Sequence, residues 1–174
     1  MTRWSGRLLA AVVLGLVLLA GCVPAPTTLP RRTGETAPPD VAAIENEVAS
    51  RVNDYRRRQG LGALASDGIL SDLAREHSRR MAEGRRDFGH DGFEQRGERV
   101  HEELGAMTVS ENVAYNNYPA DRAAERVVTA WIASPGHRQN LVGAFNRMGT
   151  GAARTRAGVW YVTQLYAAVP NTGR

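Results

Sequence analysis

One cysteine and four histidines are the residues of this sequence best suited to chemistry. Histidine changes its charge near neutral pH, which suits acid–base catalysis, and neutral imidazoles together with carboxylates bind Zn²⁺ and similar ions. Two of the histidines follow a glycine, in Phe88-Gly89-His90 and in Ser134-Pro135-Gly136-His137. No HExxH motif and no nucleophile–base pair accompanies them, so the sequence does not by itself predict a hydrolytic mechanism.

The other two histidines have simpler interpretations. His77 lies on the apolar stripe of a predicted helix, where a histidine is more often a hydrogen-bonded core residue than a ligand. His101 lies in the charged segment 98–103 and is predicted to be solvated surface. Four aromatic residues are predicted to belong to the core and not to a ligand-binding surface: Trp131, Trp160, Tyr161 and Tyr166.

The single cysteine ends a targeting segment. Arg3 and Arg7 precede an apolar run of 13 residues, which is too short to span a membrane and is typical of a signal peptide. The run leads into Leu19-Ala20-Gly21-Cys22, which resembles the lipobox of bacterial lipoproteins. That resemblance implies a signal peptide over residues 1–21, cleaved before a lipidated Cys22. The alternative is an ordinary secretory signal in which the cysteine occurs by chance.

Residues 22–39 are predicted to tether the domain to the lipid. After Cys22 this segment holds five prolines and four threonines and no long apolar run, so it cannot form a core. The protein is therefore expected to be extracytoplasmic, with a membrane as its partner through the N-terminal lipid. That membrane is the bacterial cell membrane or the outer membrane. No acidic residue follows Cys22, which favours the outer membrane in a Gram-negative cell.

The composition argues against a nucleic-acid partner. All basic residues are arginines, and the mature chain carries 20 of them against 18 acidic residues, a net charge of only +2. No cysteine follows residue 22, so the predicted domain of residues 40–170 contains no disulfide and depends on packing alone.

Hydrophobic periodicity places helices first along the domain. Helices are predicted over residues 40–59, 67–82 and 98–106, with a loop over 85–96 and with Glu45 and Glu47 on the solvent side of the first helix. A third long helix follows Pro119 and ends at Ser134, before a short helical turn at 140–142. Its predicted buried face consists of Ala120, Ala124, Val127, Val128 and Trp131.

Strands cluster late in the chain. Strands are predicted over 109–115, 148–153 and 159–169, the last of which begins with a run dense in β-branched and aromatic residues, and a turn is predicted at 155–158. Helices followed by strands predict an α+β fold in which helices pack on an antiparallel sheet.

Six short segments resemble one known family, in order and at that family's spacing. They resemble the CAP superfamily, also called the SCP domain, of cysteine-rich secretory proteins, antigen 5 and pathogenesis-related proteins, and its bacterial branch most of all. The likeness covers about residues 41–168 and implies an α–β–α sandwich with a central, mostly antiparallel sheet. The segments are Val52-Asn53-x-x-Arg56 with Gly60-Leu61, Leu73-Ala74-x-x-His77-Ser78-x-x-Met81, Phe88-Gly89-His90, Ser110-Glu111-Asn112-Val113-Ala114, Ala130-Trp131-x-x-Ser134-Pro135-Gly136-His137-Arg138-x-Asn140-Leu141, and Gly149-x-Gly151 with Trp160-Tyr161-x-Thr163-Gln164.

The resemblance also implies a central cleft. Family members gather two histidines and two glutamates there, and His90, Glu111 and His137 match three of these positions. Ser134 occupies the position of the second glutamate, which weakens the case for a metal. No cofactor is certain, but His90 and His137 are candidate ligands for Zn²⁺ or another divalent cation. The residues expected to support the cleft are His77, Ser134 and Gln164. The alternative for Glu111 is a structural one, in which its carboxylate caps backbone N–H groups.

Three functions remain open at this point. The first, which we favour, is a non-enzymatic binding module that takes a small apolar molecule or an envelope protein, because CAP proteins are linked to lipid binding. The second is a metal-dependent hydrolase or peptidase of the cell envelope. The third is a structural envelope protein with a vestigial cleft.

Overall fold

The computed structural model of the protein describes residues 39–170. The predicted signal peptide, Cys22 and nearly all of the tether lie outside the described residues. None of the helices within 39–170 is long and apolar enough to cross a membrane. The elements in chain order are α1 (Pro39–Arg58), β1 (Ala65–Ser66), α2 (Gly68–Ala82), α3 (Phe93–Leu104), β2 (Thr108–Asn116), α4 (Ala120–Ala133), α5 (Pro135–Leu141), β3 (Arg147–Arg154) and β4 (Trp160–Ala168).

The four strands form one sheet in the order β1-β3-β4-β2. β4 runs antiparallel to both β2 and β3, while β1 pairs in parallel with the start of β3 through two residues only. The mostly antiparallel sheet is therefore confirmed. β1 was not predicted, because two exposed residues carry no periodic signal.

Helices cover both faces of this sheet, as the predicted sandwich requires. Successive side chains of β4 alternate between two cores. Trp160, Val162 and Tyr166 pack with α1 and α4, whereas Leu165 and Ala167 pack with α2 and α3. The α–β–α sandwich is confirmed, and three of the four aromatic residues predicted to be core, Trp131, Trp160 and Tyr166, are fully buried.

Three local predictions were wrong. α3 begins at Phe93, so residues 93–96 are helical, after Gly92 takes the left-handed conformation at φ +72°. Ala120 is exposed, and Ala123 completes the buried face of α4 instead. α4 ends at its C-cap Ser134, as predicted, but the next helix, α5, begins at Pro135 and not at residue 140; a proline in the first turn costs little because its missing N–H is not needed there.

Glu45 is buried, contrary to its predicted place on the solvent side of α1. Because β1 covers only the start of β3, the outer edge of β3 has a free N–H at Ala152, which donates to Glu45 Oε1 at 3.0 Å. Arg75 of α2 donates to the same carboxylate from Nε and Nη2, at 3.0 and 2.8 Å. One side chain thus joins α1, α2 and the sheet edge, and periodicity cannot reveal such a partner 107 residues away.

The backbone of α2 lies directly on β3. A Cβ placed on Gly149 would stand 2.2 Å from the backbone N of Ser71, and one on Gly151 would stand 2.0 Å from the backbone N of Arg75. Ser78 adds a hydrogen bond from its hydroxyl to the Gly151 carbonyl at 2.9 Å. The Gly149-x-Gly151 segment is therefore needed for helix-to-sheet contact and not for a turn.

Candidate functional site

The predicted site residues meet at the outer edge of β2. Because β2 is an edge strand, elements on either face of the sheet can reach past it: His90 precedes α3, and His137 belongs to α5. His90 Nδ1 lies 3.0 Å from Glu111 Oε1, and the ring centroids of His90 and His137 are 6.5 Å apart. The fold thus brings these three residues together from separate segments.

Glu111 is a buried carboxylate held by a guanidinium. Its side chain is 1% exposed, and Arg96 of α3 donates from Nε to Oε2 and from Nη2 to Oε1, both at 2.7 Å. A bidentate, charge-assisted pair of this kind is among the stronger side-chain interactions in proteins. Arg96 was missed because its segment was predicted to be a loop. The available signal was that a buried glutamate needs a cationic partner.

His77 lies beneath this pair. Its side chain is 1% exposed, its Nε2 donates to the Gly89 carbonyl at 2.8 Å, and the same nitrogen is 4.0 Å from Glu111 Oε1. Burial, and then the positive charge of Arg96, lower the pKa of His77. His77 is therefore a neutral, hydrogen-bonded core residue, as predicted, and it also supports the loop that carries His90.

Asparagines hold His137 in place on the opposite face of the sheet. Asn112 Nδ2 donates to the His137 carbonyl at 3.1 Å, and Asn140 Nδ2 donates to Asn112 Oδ1 at 2.9 Å. Arg56 fixes the end of α5 by donating to the Leu141 carbonyl at 2.8 Å. Burial, and then the neighbouring His90, lower the pKa of His137, which favours a neutral imidazole.

The remaining candidate residues make no hydrogen bond to the side chains of His90, Glu111 or His137. Gln164 pairs in register with Asn112, on the sheet face opposite Glu111, and its amide contacts Thr150 and Met148 within the α1 core. Ser134 links α4 to α5, and its side chain makes no capping hydrogen bond. His101 is exposed, as predicted, with Nδ1 at 3.0 Å from the Ala106 carbonyl.

Three aromatic rings form a surface beside His90. Phe88 packs edge-on against Tyr115 with ring centroids 4.8 Å apart, and Tyr115 stacks on Tyr161 at 5.9 Å. Phe88 is 47% exposed and Tyr115 is 58% exposed. The prediction that Tyr161 is core is therefore wrong, because it faces this surface and is only half-buried. We call these three residues the aromatic surface.

The group does not fit a closed metal site. Within residues 39–170, no three histidine, cysteine, aspartate or glutamate side chains are arranged to hold a metal ion. Structural zinc sites use four protein ligands and catalytic ones three, whereas Glu111 already gives both oxygens to Arg96. In this group, only the side chains of His90 and His137 are then available to coordinate a metal ion.

Comparison with known proteins agrees with this architecture. The model of the cysteine-rich secretory protein family, CAP, matches residues 49–166. The chain belongs to the CAP family. The uncharacterized protein YkwD of Bacillus subtilis is 32% identical over 73% of this chain and 49% of its own length, which places the likeness in the bacterial branch. The chain thus spans about half the length of that curated relative.

Solved CAP-like structures share the fold. An outer surface protein from Borrelia burgdorferi matches with a TM-score of 0.59 at 22% identity, over 73% of this chain and 93% of that one. An extracellular SCP-domain protein from Bacillus anthracis matches with a TM-score of 0.62 at 24% identity, over 78% of this chain and 45% of that one. At these identities the likeness establishes the CAP fold alone.

Proposed function

We propose that this CAP-domain protein is an extracytoplasmic, lipid-anchored binding module. Its ligand is a small, largely apolar molecule held at the edge of β2, between His90 and His137 and against the aromatic surface. The proposal covers location as well as activity: the Leu-Ala-Gly-Cys junction at Cys22 supports the anchor, and the relatives described as outer-surface or extracellular proteins support the location.

The observation that carries the binding function is the state of Glu111. A general base or a metal ligand must be reached by the proton or ion that it binds, and its negative charge must not already be neutralised, whereas the Glu111 side chain is only 1% exposed. Both Glu111 oxygens instead accept hydrogen bonds from Arg96 at 2.7 Å, and one of them also contacts His90. The carboxylate is neutralised and fixed, so it serves to position His90, whose side chain remains 50% exposed.

The aromatic surface supplies the apolar contact. Phe88 precedes His90 by two residues, and Tyr115 lies on the same face of β2 as Glu111, so the rings extend the site along the strand. Rings that already pack on one another lose little freedom when a ligand covers them, which favours binding.

A hydrolase has one observation in its favour. The contact between Glu111 and His90 Nδ1 resembles the orienting half of a catalytic triad, with the other ring nitrogen free to act as a base. A nucleophile within hydrogen-bond reach of His90 would be required as well, and none of the hydrogen bonds of the described residues joins His90 to a hydroxyl. The binding function therefore has more support.

Binding of Nile red, a neutral apolar dye, tests the proposal. We use the mature chain with Cys22→Ser, which carries no lipid to attract the dye. Phe88→Ser should weaken dye binding about tenfold, because covering an aromatic side chain contributes roughly 1.5 kcal/mol or more. Fluorescence titration measures the change.

The matched control for the dye experiment is Met107→Ser, which removes an apolar side chain that is 75% exposed and lies outside the aromatic surface. It should leave the affinity unchanged. If Met107→Ser and Phe88→Ser weaken binding equally, or if neither does, the aromatic surface is not the binding site.

Zinc titration separates the binding module from a metal enzyme. Wild-type protein should bind Zn²⁺ only weakly, and His137→Ala should remove that binding, because two imidazoles alone make an incomplete site. Ser134→Glu should raise the affinity about tenfold by adding a carboxylate where the family has one, a change on the scale seen when groups around a metal are altered. Tight binding to the wild type, measured calorimetrically, would favour the hydrolase.

A further inference from the structure

A second pocket lies between α2 and α3, behind the site described above. It has a volume of about 340 Å³, and neither His90 nor His137 lines it. Four guanidinium groups and one carboxylate surround it, together with the buried imidazole of His77; the charged residues are Arg80, Arg86, Arg96, Arg99 and Glu76. The lining is therefore suited to an anion.

Three of these arginines form only weak ion pairs with their present partners. Arg80 donates to Glu76 at 2.6 Å, Arg86 donates to Asp91 at 2.6 Å, and Arg99 pairs with Glu103 one helical turn away. One or both members of each pair are well exposed, and surface ion pairs contribute only about 0–1 kcal/mol. A bound anion can therefore replace these carboxylates at small cost. Arg96 is different, because Glu111 holds it.

The imidazole of His77 forms part of the pocket wall and takes no direct part in binding. Its Nε2 donates to the Gly89 carbonyl at 2.8 Å, which fixes the ring in place. Its Nδ1 is buried, so a molecule in the pocket does not reach that nitrogen. The charge of the pocket is therefore set by the guanidinium groups, which outnumber the single carboxylate of Glu76.

We propose that this pocket binds a phosphate monoester or hydrogen phosphate. The anionic oxygens contact the guanidinium groups of Arg80, Arg86 and Arg99. Guanidinium groups match phosphate oxygens in geometry as well as charge. The proposal concerns a site separate from the proposed apolar one, and either can fail without the other.

Calorimetric titration of the mature chain carrying Cys22→Ser with inorganic phosphate tests the site, with acetate as the comparison anion. Acetate is a monovalent carboxylate, so it pairs with fewer guanidinium groups than a phosphate does. Phosphate should bind saturably and several-fold more tightly than acetate. Equal affinities would overturn the assignment of a phosphate group, and no saturable phosphate binding would overturn the site.

Matched arginine variants locate the binding. Arg80→Gln and Arg99→Gln should each weaken phosphate binding about tenfold, since a hydrogen bond to a charged group contributes roughly 1.5–3 kcal/mol. The control is Arg51→Gln on α1, because Arg51 pairs with Glu47 through the same i,i+4 geometry as Arg80 with Glu76 and is similarly exposed. An equal loss in Arg51→Gln would indicate non-specific attraction and overturn the proposal.

Vesicle binding distinguishes the two sources of a phosphate monoester. The same protein is mixed with phosphatidylcholine vesicles with and without a phosphomonoester lipid. Phosphate binding together with Arg80-dependent capture by the second kind of vesicle identifies a lipid headgroup as the ligand. Phosphate binding without capture identifies a soluble phosphomonoester. Capture that Arg80→Gln leaves unchanged would contradict the assignment of this pocket.

Discussion

Gly151→Ala should destabilise the domain by about 3 kcal/mol or more, one of the largest effects expected for so small a change. The added Cβ would lie 2.0 Å from the backbone N of Arg75 and 2.2 Å from the carbonyl carbon of Ala74. Both are backbone atoms of α2, so no side-chain rotation can relieve the contact. The helix must move away from β3, which opens the core that Leu70 and Ala74 share with Leu165. Chemical denaturation of the variant measures the loss.

The control for this experiment is the same substitution at Gly97. Gly97 lies inside α3, and a Cβ there meets no atom within 4 Å. Alanine is a better helix former than glycine by about 0.8–1.0 kcal/mol, so Gly97→Ala should increase stability. Opposite signs for the two variants would support the packing argument. A Gly151→Ala variant as stable as the wild type would show that α2 does not lie against β3.

Cys22→Ser should move the protein from the membrane fraction to the soluble fraction, or stop its processing. The thiol is the only one in the chain and the attachment point that the Leu-Ala-Gly-Cys junction predicts. Each buried methylene of an acyl chain contributes about 0.8 kcal/mol to membrane binding, so losing the lipid removes the whole anchor. Residues 22–174 carry a net charge of only +2, so electrostatic attraction to a membrane is too weak to replace a lipid.

Fractionation of cells followed by immunoblotting measures this change. Ala25→Ser is the matched control, since it introduces the same side chain three residues into the tether and leaves the thiol intact. It should fractionate with membranes like the wild type. If Cys22→Ser also stays with membranes at the size of the mature wild type, the cysteine is not the anchor.

Local patterns predicted the fold well where they report on burial. The apolar stripe containing Val48 and Val52 placed α1, and the β-branched run after Gly158 placed β4. Patterns failed where a partner distant in the sequence decides the outcome. Glu45 looks like a surface residue until the free edge of β3 and Arg75 are known to meet it.

The residues of the candidate site likewise divide into those that the sequence predicted and those that it did not. His90, Glu111 and His137 were expected together because of the family resemblance, whereas spacing alone left them 21 and 26 residues apart. Arg96 and the aromatic surface were missed. The role of Arg96 could be predicted only if α3 was known to start at Phe93. The pairing of Tyr115 with Tyr161 depends on the register between β2 and β4.

The two imidazoles of the site belong to different layers of the sandwich. His90 is fixed through Glu111 and Arg96 to the layer of α3, whereas His137 belongs to α5, a seven-residue helix whose one buried residue is Leu141. α5 is held by Leu141 and by the hydrogen bonds that Asn112 and Arg56 donate to it, without an extensive apolar face. A ligand that contacts both rings therefore bridges the two layers and restricts movement of α5 relative to α3, and its affinity includes the entropic cost of that restriction.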